Sequence, residues 1–228
     1  MSKLQTAFDA AVAQSKSLTE RPDNSTLLKI YGLYKQATAG DNSEKKPGFS
    51  DRLGLDVYRL QLATGNLTTT SDYMEMAQLA IQAGYAAEAK KAINDGFTVG
   101  ALGKGAEADR HKRLRDLAEK RVAEAQKTAI SAQDETDATA AKDGNAQVVL
   151  GEKLFAAGQT SRGVSLMEAG IKKGGLRRPE DAKLHLGLAQ IQMGQKAKGI
   201  QTLKTVQGTD GVADLARLWI IFTQKNAA

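Results

Sequence analysis

Residues 150–163 read LGEKLFAAGQTSRG, residues 186–199 read LGLAQIQMGQKAKG, and residues 76–89, MAQLAIQAGYAAEA, follow the same plan. Each stretch opens with a large apolar residue followed by a small one: Met76-Ala77, Leu150-Gly151 and Leu186-Gly187. A glycine stands seven positions on (Gly84, Gly158, Gly194), and a small residue five beyond that (Ala89, Gly163, Gly199). Two helix backbones stack closely only where the side chains between them are small or absent. The pattern therefore predicts helical hairpins that turn at the glycine, and an all-α chain.

Composition agrees. Aromatic residues make up 5% of the 228 positions while alanine, leucine, lysine and glutamine abound, which favours helix over strand. A length of 228 residues allows two modules or one continuous stack. The absence of cysteine excludes disulfides, thiolate nucleophiles and thiolate metal sites, and fits a cytoplasmic setting. The longest apolar run, Leu218 to Phe222, is far short of the ~20 residues of a membrane span.

Outward from the repeats, Leu4, Phe8, Ala11 and Val12 form an apolar stripe on a first helix that opens with Ser2 and Gln5, so Met1 to Ser17 reads as mature chain rather than as a leader. After Arg21-Pro22-Asp23, Leu27, Ile30, Tyr31 and Tyr34 mark a second helix that ends by Gly40-Asp41. A third, from Ser50 to Thr64, is apolar on two faces, Leu53/Val57/Leu60 and Leu55/Tyr58/Leu62, as a helix sandwiched between neighbours is. A fourth is expected from Asp72, with Asp72 as its cap and Glu75 three residues on, to Gly84. Ala106 to Ala132 reads as a charged helix with Leu114, Leu117 and Val122 on its apolar stripe, and Ser131 to Asp143 as its frayed end and a loop. The helix Val212 to Thr223, with Leu215, Leu218, Trp219 and Phe222 on one stripe, is expected to cap the array.

The hairpin pattern resembles the tetratricopeptide repeat, whose first helix carries a central Leu-Gly. Gly158 to Gly194 is close to that repeat's roughly 34-residue period, and Gly84 to Gly158 is about two units with an insertion. The match is degenerate: the tryptophan position and the final proline are lost, and Ala80, Leu154 and Gln190 occupy the tyrosine positions. From Leu55 onward, with LDVYRLQLATGNL at its opening and IKKGGLRRPEDAKLHLGLA further on, the chain is similar to a bacterial tetratricopeptide-containing family.

The stretch Leu27 to Gly54, LLKIYGLYKQATAGDNSEKKPGFSDRLG, resembles the acyl-CoA-binding protein family, and Phe8, Lys16 and Pro22 extend the likeness over about the first 54 positions. That resemblance implies a four-helix bundle, shared here as an acyl-CoA-binding-like module over 1–84 and a helical-hairpin solenoid over 50–228, with 106–143 a charged helix and linker. It also implies a non-catalytic carrier of long-chain acyl-CoA. Tyr31 and Lys35 match the family's headgroup-contacting tyrosine and lysine, one helical turn apart, and Lys16, Leu28 and Tyr58 match positions near the ligand. Where the family has a lysine-tryptophan pair this chain has Val57-Tyr58, and its fourth-helix tyrosine falls near Leu79. Some members of the bacterial family carry their own Lys-Pro-Gly-Phe-x-Asp-Arg-Leu stretch, so the two likenesses overlap at Lys46 to Leu53. A chimera crossed over at that segment, natural or engineered, has this form.

Nothing supports an enzyme. His111 and His185 stand far apart in helical runs beside basic residues, and are expected at the surface or partly packed. Gly100-Ala101-Leu102-Gly103-Lys104-Gly105 lacks the spacing and the following Ser/Thr of a phosphate loop, and no strand precedes it. No cofactor is implied. The net charge of +6 is matched by the surplus between Lys172 and Lys204, where eight bases face only Glu180 and Asp181, yet no aromatic residue is interleaved to stack on bases. That argues for solvated helix faces rather than nucleic-acid binding. The expected partners are acyl-CoA and an unknown protein or peptide held by the repeats, with a pure interaction scaffold as the alternative.

Overall fold

The computed structural model describes residues 51–127 and 130–225. The helices expected within 1–49 lie outside the described residues. The chain divides after Gly48, and the unit from Phe49 onward holds every described helix. After a 3₁₀ turn at Asp51–Leu53 come α1 (Gly54–Ala63), α2 (Thr70–Gln82), α3 (Ala86–Thr98), α4 (Ala108–Lys127), α5 (Ala132–Ala140), α6 (Asn145–Ala156), α7 (Thr160–Lys173), α8 (Pro179–Gln192), α9 (Lys196–Lys204) and α10 (Val212–Lys225). The described residues contain no strand.

The three glycine-marked stretches form hairpins α2–α3, α6–α7 and α8–α9 with one turn geometry. Gly84, Gly158 and Gly194 have φ of 84°, 84° and 80°, a region open to glycine at no steric cost. The next amide donates five residues back in each: Tyr85 to Ala80 at 2.8 Å, Gln159 to Leu154 at 2.9 Å, Gln195 to Gln190 at 2.9 Å. With the glycine N–H donating to the carbonyl three residues back, this closes the helix as a Schellman motif.

At the crossings the small residues do what the pattern predicts. A Cβ on Gly163 would stand 2.6 Å from the Gly151 carbonyl oxygen, and one on Gly199 2.6 Å from that of Gly187. In α2–α3 the same places hold Ala77 and Ala89, both fully buried. One core gathers Leu55, Tyr73, Met76, Ile93, Leu102 and Leu114 from α1 to α4, and another gathers Val164, Met167, Leu186 and Ala189 between α7 and α8. The helix α1 meets both α2 and α10. Just ahead of it, Arg52 donates to Asp181 at 2.7 and 2.9 Å and pairs with Asp210 at 2.8 Å, fastening the turn to the start of α8 and the loop before α10.

Several expectations need correction. The helix read from Ser50 begins at Gly54, because 51–53 is a tighter 3₁₀ turn. Asp72 is not the cap of α2: Thr69 is, and Asp72 three residues on returns the bond in a capping box. The linker expected at Ser131 to Asp143 is largely α5, started by the same device with Ser131 and Asp134. Leu117 is 39% exposed, and the buried stripe of α4 is His111, Leu114 and Ala118. The Gly100–Gly105 segment is a packed connection: Leu102 is buried, Thr70 donates to the Ala101 carbonyl at 2.7 Å, and the Gly103 amide donates to His111 Nδ1 at 3.1 Å. His111 is therefore buried rather than at the surface.

Candidate functional site

Of the residues matched to the ligand, Lys16, Leu28, Tyr31 and Lys35 lie outside the described residues. Tyr58 is on α1, half-buried, and its hydroxyl donates to Glu75 of α2 at 2.7 Å. Burial and the Glu75 carboxylate raise its pKa, so the phenol stays protonated. Leu79 packs against Gly54, where an added Cβ would stand 3.3 Å from its Cδ1.

The opposite flank of α1 carries a charge network that the sequence did not single out. Asp56 and Arg59 are one turn apart and bonded at 2.7 Å. Arg59 continues as a two-pronged pair to Glu88 of α3, both bonds 2.7 Å, with its guanidinium 4.9 Å from the centre of the Tyr85 ring. His185 of α8 bridges two carboxylates: Nδ1 is 2.6 Å from Glu152 of α6, and Nε2 is 3.2 Å from Asp56. The Tyr85 hydroxyl donates to the other oxygen of Glu152 at 3.1 Å.

Burial alone would lower the pKa of His185, but Asp56 and Glu152 outweigh it and hold the imidazole up at about 10, so it is a cation at neutral pH. Burial would raise Asp56, yet His185 and then Arg59 hold it down at about 2. Tyr85 is raised by burial and by Glu152. The network thus joins α1, α3, α6 and α8 by charge-assisted bonds, and His185 and Tyr85 both keep their protons near neutrality. It is structural, and nothing in its geometry activates a nucleophile. Among the described residues no group of three or more His, Cys, Asp or Glu is placed to hold a metal ion.

Beside this network lies a cavity of about 830 Å³. Arg59, Glu88, Glu152 and His185 form one side, while Leu62, Met76, Phe155, Met167, Leu188 and Trp219 supply apolar wall. A second, more polar hollow of about 560 Å³ lies between α2 and the start of α4, with Glu75, Gln78, Glu107 and Arg110 on its lining. Asp56 and His185 are 129 positions apart, so only the stacking of α8 on α1's neighbours brings them together. Of the basic residues at 172–204, Lys183 pairs with Glu180 at 2.8 Å and Lys198 with Glu168 at 2.6 Å, and Lys173 donates to the Thr139 carbonyl at 2.7 Å. Among the described residues no helix is long and apolar enough to cross a membrane.

The family model described as acyl CoA binding protein matches residues 5–69, and so ends just before α2. The acyl-CoA-binding protein homolog 1 of Caenorhabditis elegans is 50% identical over 48 residues, 21% of this chain and 56% of the relative. The Drosophila melanogaster homolog is 49% identical over 47 residues, 21% of this chain and 55% of the relative. The chain therefore spans about half the length of these two curated relatives. Acyl-CoA-binding domain-containing protein 1 of Oryza sativa subsp. japonica is 35% identical over 88 residues, 37% of this chain and 97% of the relative. No solved structure matches.

Proposed function

The chain belongs to the acyl-CoA-binding protein family, and we propose that it is a non-catalytic protein whose amino-terminal segment binds long-chain acyl-CoA. The family match over residues 5–69 carries this reading. Tyr31 and Lys35, at i and i+4, offer a ring for the adenine and an ammonium for the phosphates, with Lys16 and Leu28 near the ligand. Tyr58 enters through its ring, since its hydroxyl is engaged by Glu75. Val57 in place of a lysine removes one charge-assisted contact, worth ~1.5 to 3 kcal/mol, so the affinity is weak for the family.

Calorimetric titration of the full chain with palmitoyl-CoA tests this. Saturable heat is expected, weakened about tenfold or more by Lys35→Ala through loss of one charged contact. No heat at protein concentrations on the order of tens of micromolar contradicts it.

A second reading is supported by the three hairpins with one turn geometry: the helices from α2 onward form a tetratricopeptide-like array that presents a surface to a protein or peptide partner. Cross-links between the full chain and a captured partner that fall on α6 to α9 support it. Cross-links confined to residues 1–48 contradict it.

A further inference from the structure

We propose that the 830 Å³ cavity walled by α1, α3, α6, α8 and α10 is a binding site for an uncharged aliphatic chain bearing an oxygen acceptor. Its volume lies in the range of roughly 300 to 1,000 Å³ that small-molecule sites occupy. Much of its wall is apolar: Leu62, Phe155, Leu188 and Trp219 line it from four different helices, with Tyr85 and Gln192 as its uncharged polar residues.

The charge on its lining is already spent inside the protein. The three cations are Arg59, Lys91 and His185, and the three anions are Glu88, Asp95 and Glu152. Arg59 is taken by Glu88 and Asp56, each at 2.7 Å, His185 by Glu152 at 2.6 Å and Asp56 at 3.2 Å, and Lys91 by Asp95 at 2.6 Å. A charged ligand would have to break one of these pairs or lie unpaired against apolar wall, and both cost free energy. An uncharged chain meets neither cost. One buried donor on a residue of the lining lacks a partner: the indole Nε1 of Trp219, a residue only 9% exposed. A buried donor left unpaired is costly, and an alcohol or ester oxygen on the ligand supplies its partner once the walls adjust around the chain.

Trp219 is the chain's only tryptophan, so the tryptophan fluorescence comes from one residue of this lining. The full chain is titrated with 1-dodecanol below its solubility limit, and with dodecanoate and dodecyltrimethylammonium below their micelle thresholds. The expected result is a saturable one-to-one change with dodecanol, and affinity at least tenfold lower for both charged chains.

Ala156→Phe and Ala63→Phe, exposed positions on different helices of the lining, each weaken dodecanol at least tenfold while the helical circular dichroism is unchanged. The site is independent of the acyl-CoA reading: dodecanol affinity is the same in Lys35→Ala, whether or not that lysine holds a CoA. A change that never saturates, equal affinity for the three chains, or full dodecanol affinity in both phenylalanine variants overturns the proposal. Equal affinity in particular would mark a non-selective apolar surface of the kind a protein partner covers.

Discussion

The hairpins α6–α7 and α2–α3 follow one chain pattern and one turn, yet they are held by different physics. In α6–α7 the crossing residues are Gly151 and Gly163, and a second glycine pair, Gly144 and Gly170, repeats the arrangement seven positions away on each helix. There the backbones themselves are in contact, and a Cβ on Gly170 would stand 2.7 Å from the Gly144 carbonyl oxygen. In α2–α3 the crossing residues are Ala77 and Ala89, and the core is filled instead by side chains such as Tyr73, Met76 and Ile93. The repeat pattern thus sets topology, while the identity of the small residue sets how much side chain is left to stabilise it.

The sharpest way to break the comparison is to exchange the two small residues. Gly163→Ala places a methyl 2.6 Å from the Gly151 carbonyl and 2.7 Å from the Phe155 amide, and is expected to cost about 3 kcal/mol or more as the helices part. Ala89→Gly, which removes a buried methyl and loosens a helix, is expected to cost about 1 to 2 kcal/mol. Urea midpoints decide it, and the account fails if the alanine variant is the milder of the two.

His185→Gln comes next, since it leaves Asp56 and Glu152 without their shared cation. The imidazole is partly exposed, 22% for its side chain, so about 2 kcal/mol is expected rather than the full cost of breaking a buried pair. The pH dependence has a definite sign. The folded pKa of His185 lies above its ordinary 6.5, so its contribution is complete below about pH 6.5, declines above it and is gone past about pH 10. Asp56 is depressed from 3.8 to about 2, so its contribution is present above pH 3.8 and lost as the pH falls through 2. Thermal unfolding between pH 6 and 10 should therefore show a decline in the parent chain that His185→Gln flattens.

Ser131→Ala removes one half of the capping box of α5 and is expected to cost about 1 kcal/mol, read as faster amide exchange in 132–140 with the α6–α7 hairpin unchanged. The smallest effect belongs to Tyr58→Phe. It gives up a single exposed bond to Glu75, about 0.5 kcal/mol by thermal unfolding, and leaves palmitoyl-CoA affinity unchanged because the hydroxyl serves Glu75.

The hairpins were legible because their determinants are local: a large apolar residue with a small one after it, a glycine seven further on and a small residue five beyond that recur together at each of the three turns. The start of α5 was equally local, but a Ser/Ala/Asp/Thr-rich run reads as loop unless the Ser131–Asp134 spacing is weighed above composition. The second glycine pair was also visible, as glycines seven apart on both helices, 144/151 and 163/170. The charge network was not, because Asp56, Arg59, Glu88, Glu152 and His185 come from four helices and nothing in their spacing foretells the meeting. The burial of His111 had the same origin, since its partner is the Gly103 amide in a loop read only for phosphate binding. For the family the sequence reached further, through the long run from Ile30 to Thr38, which lies within the residues that the acyl CoA binding protein model matches.

The central claim, that acyl-CoA is the business of the amino-terminal segment and not of the hairpin array, is tested most directly by amide hydrogen exchange of the full chain with and without saturating palmitoyl-CoA. The account predicts that protection rises in residues 27–40, around Tyr31 and Lys35, while the hairpins α6–α7 and α8–α9 exchange as before. Protection confined to those hairpins, with 27–40 unaffected, would contradict it.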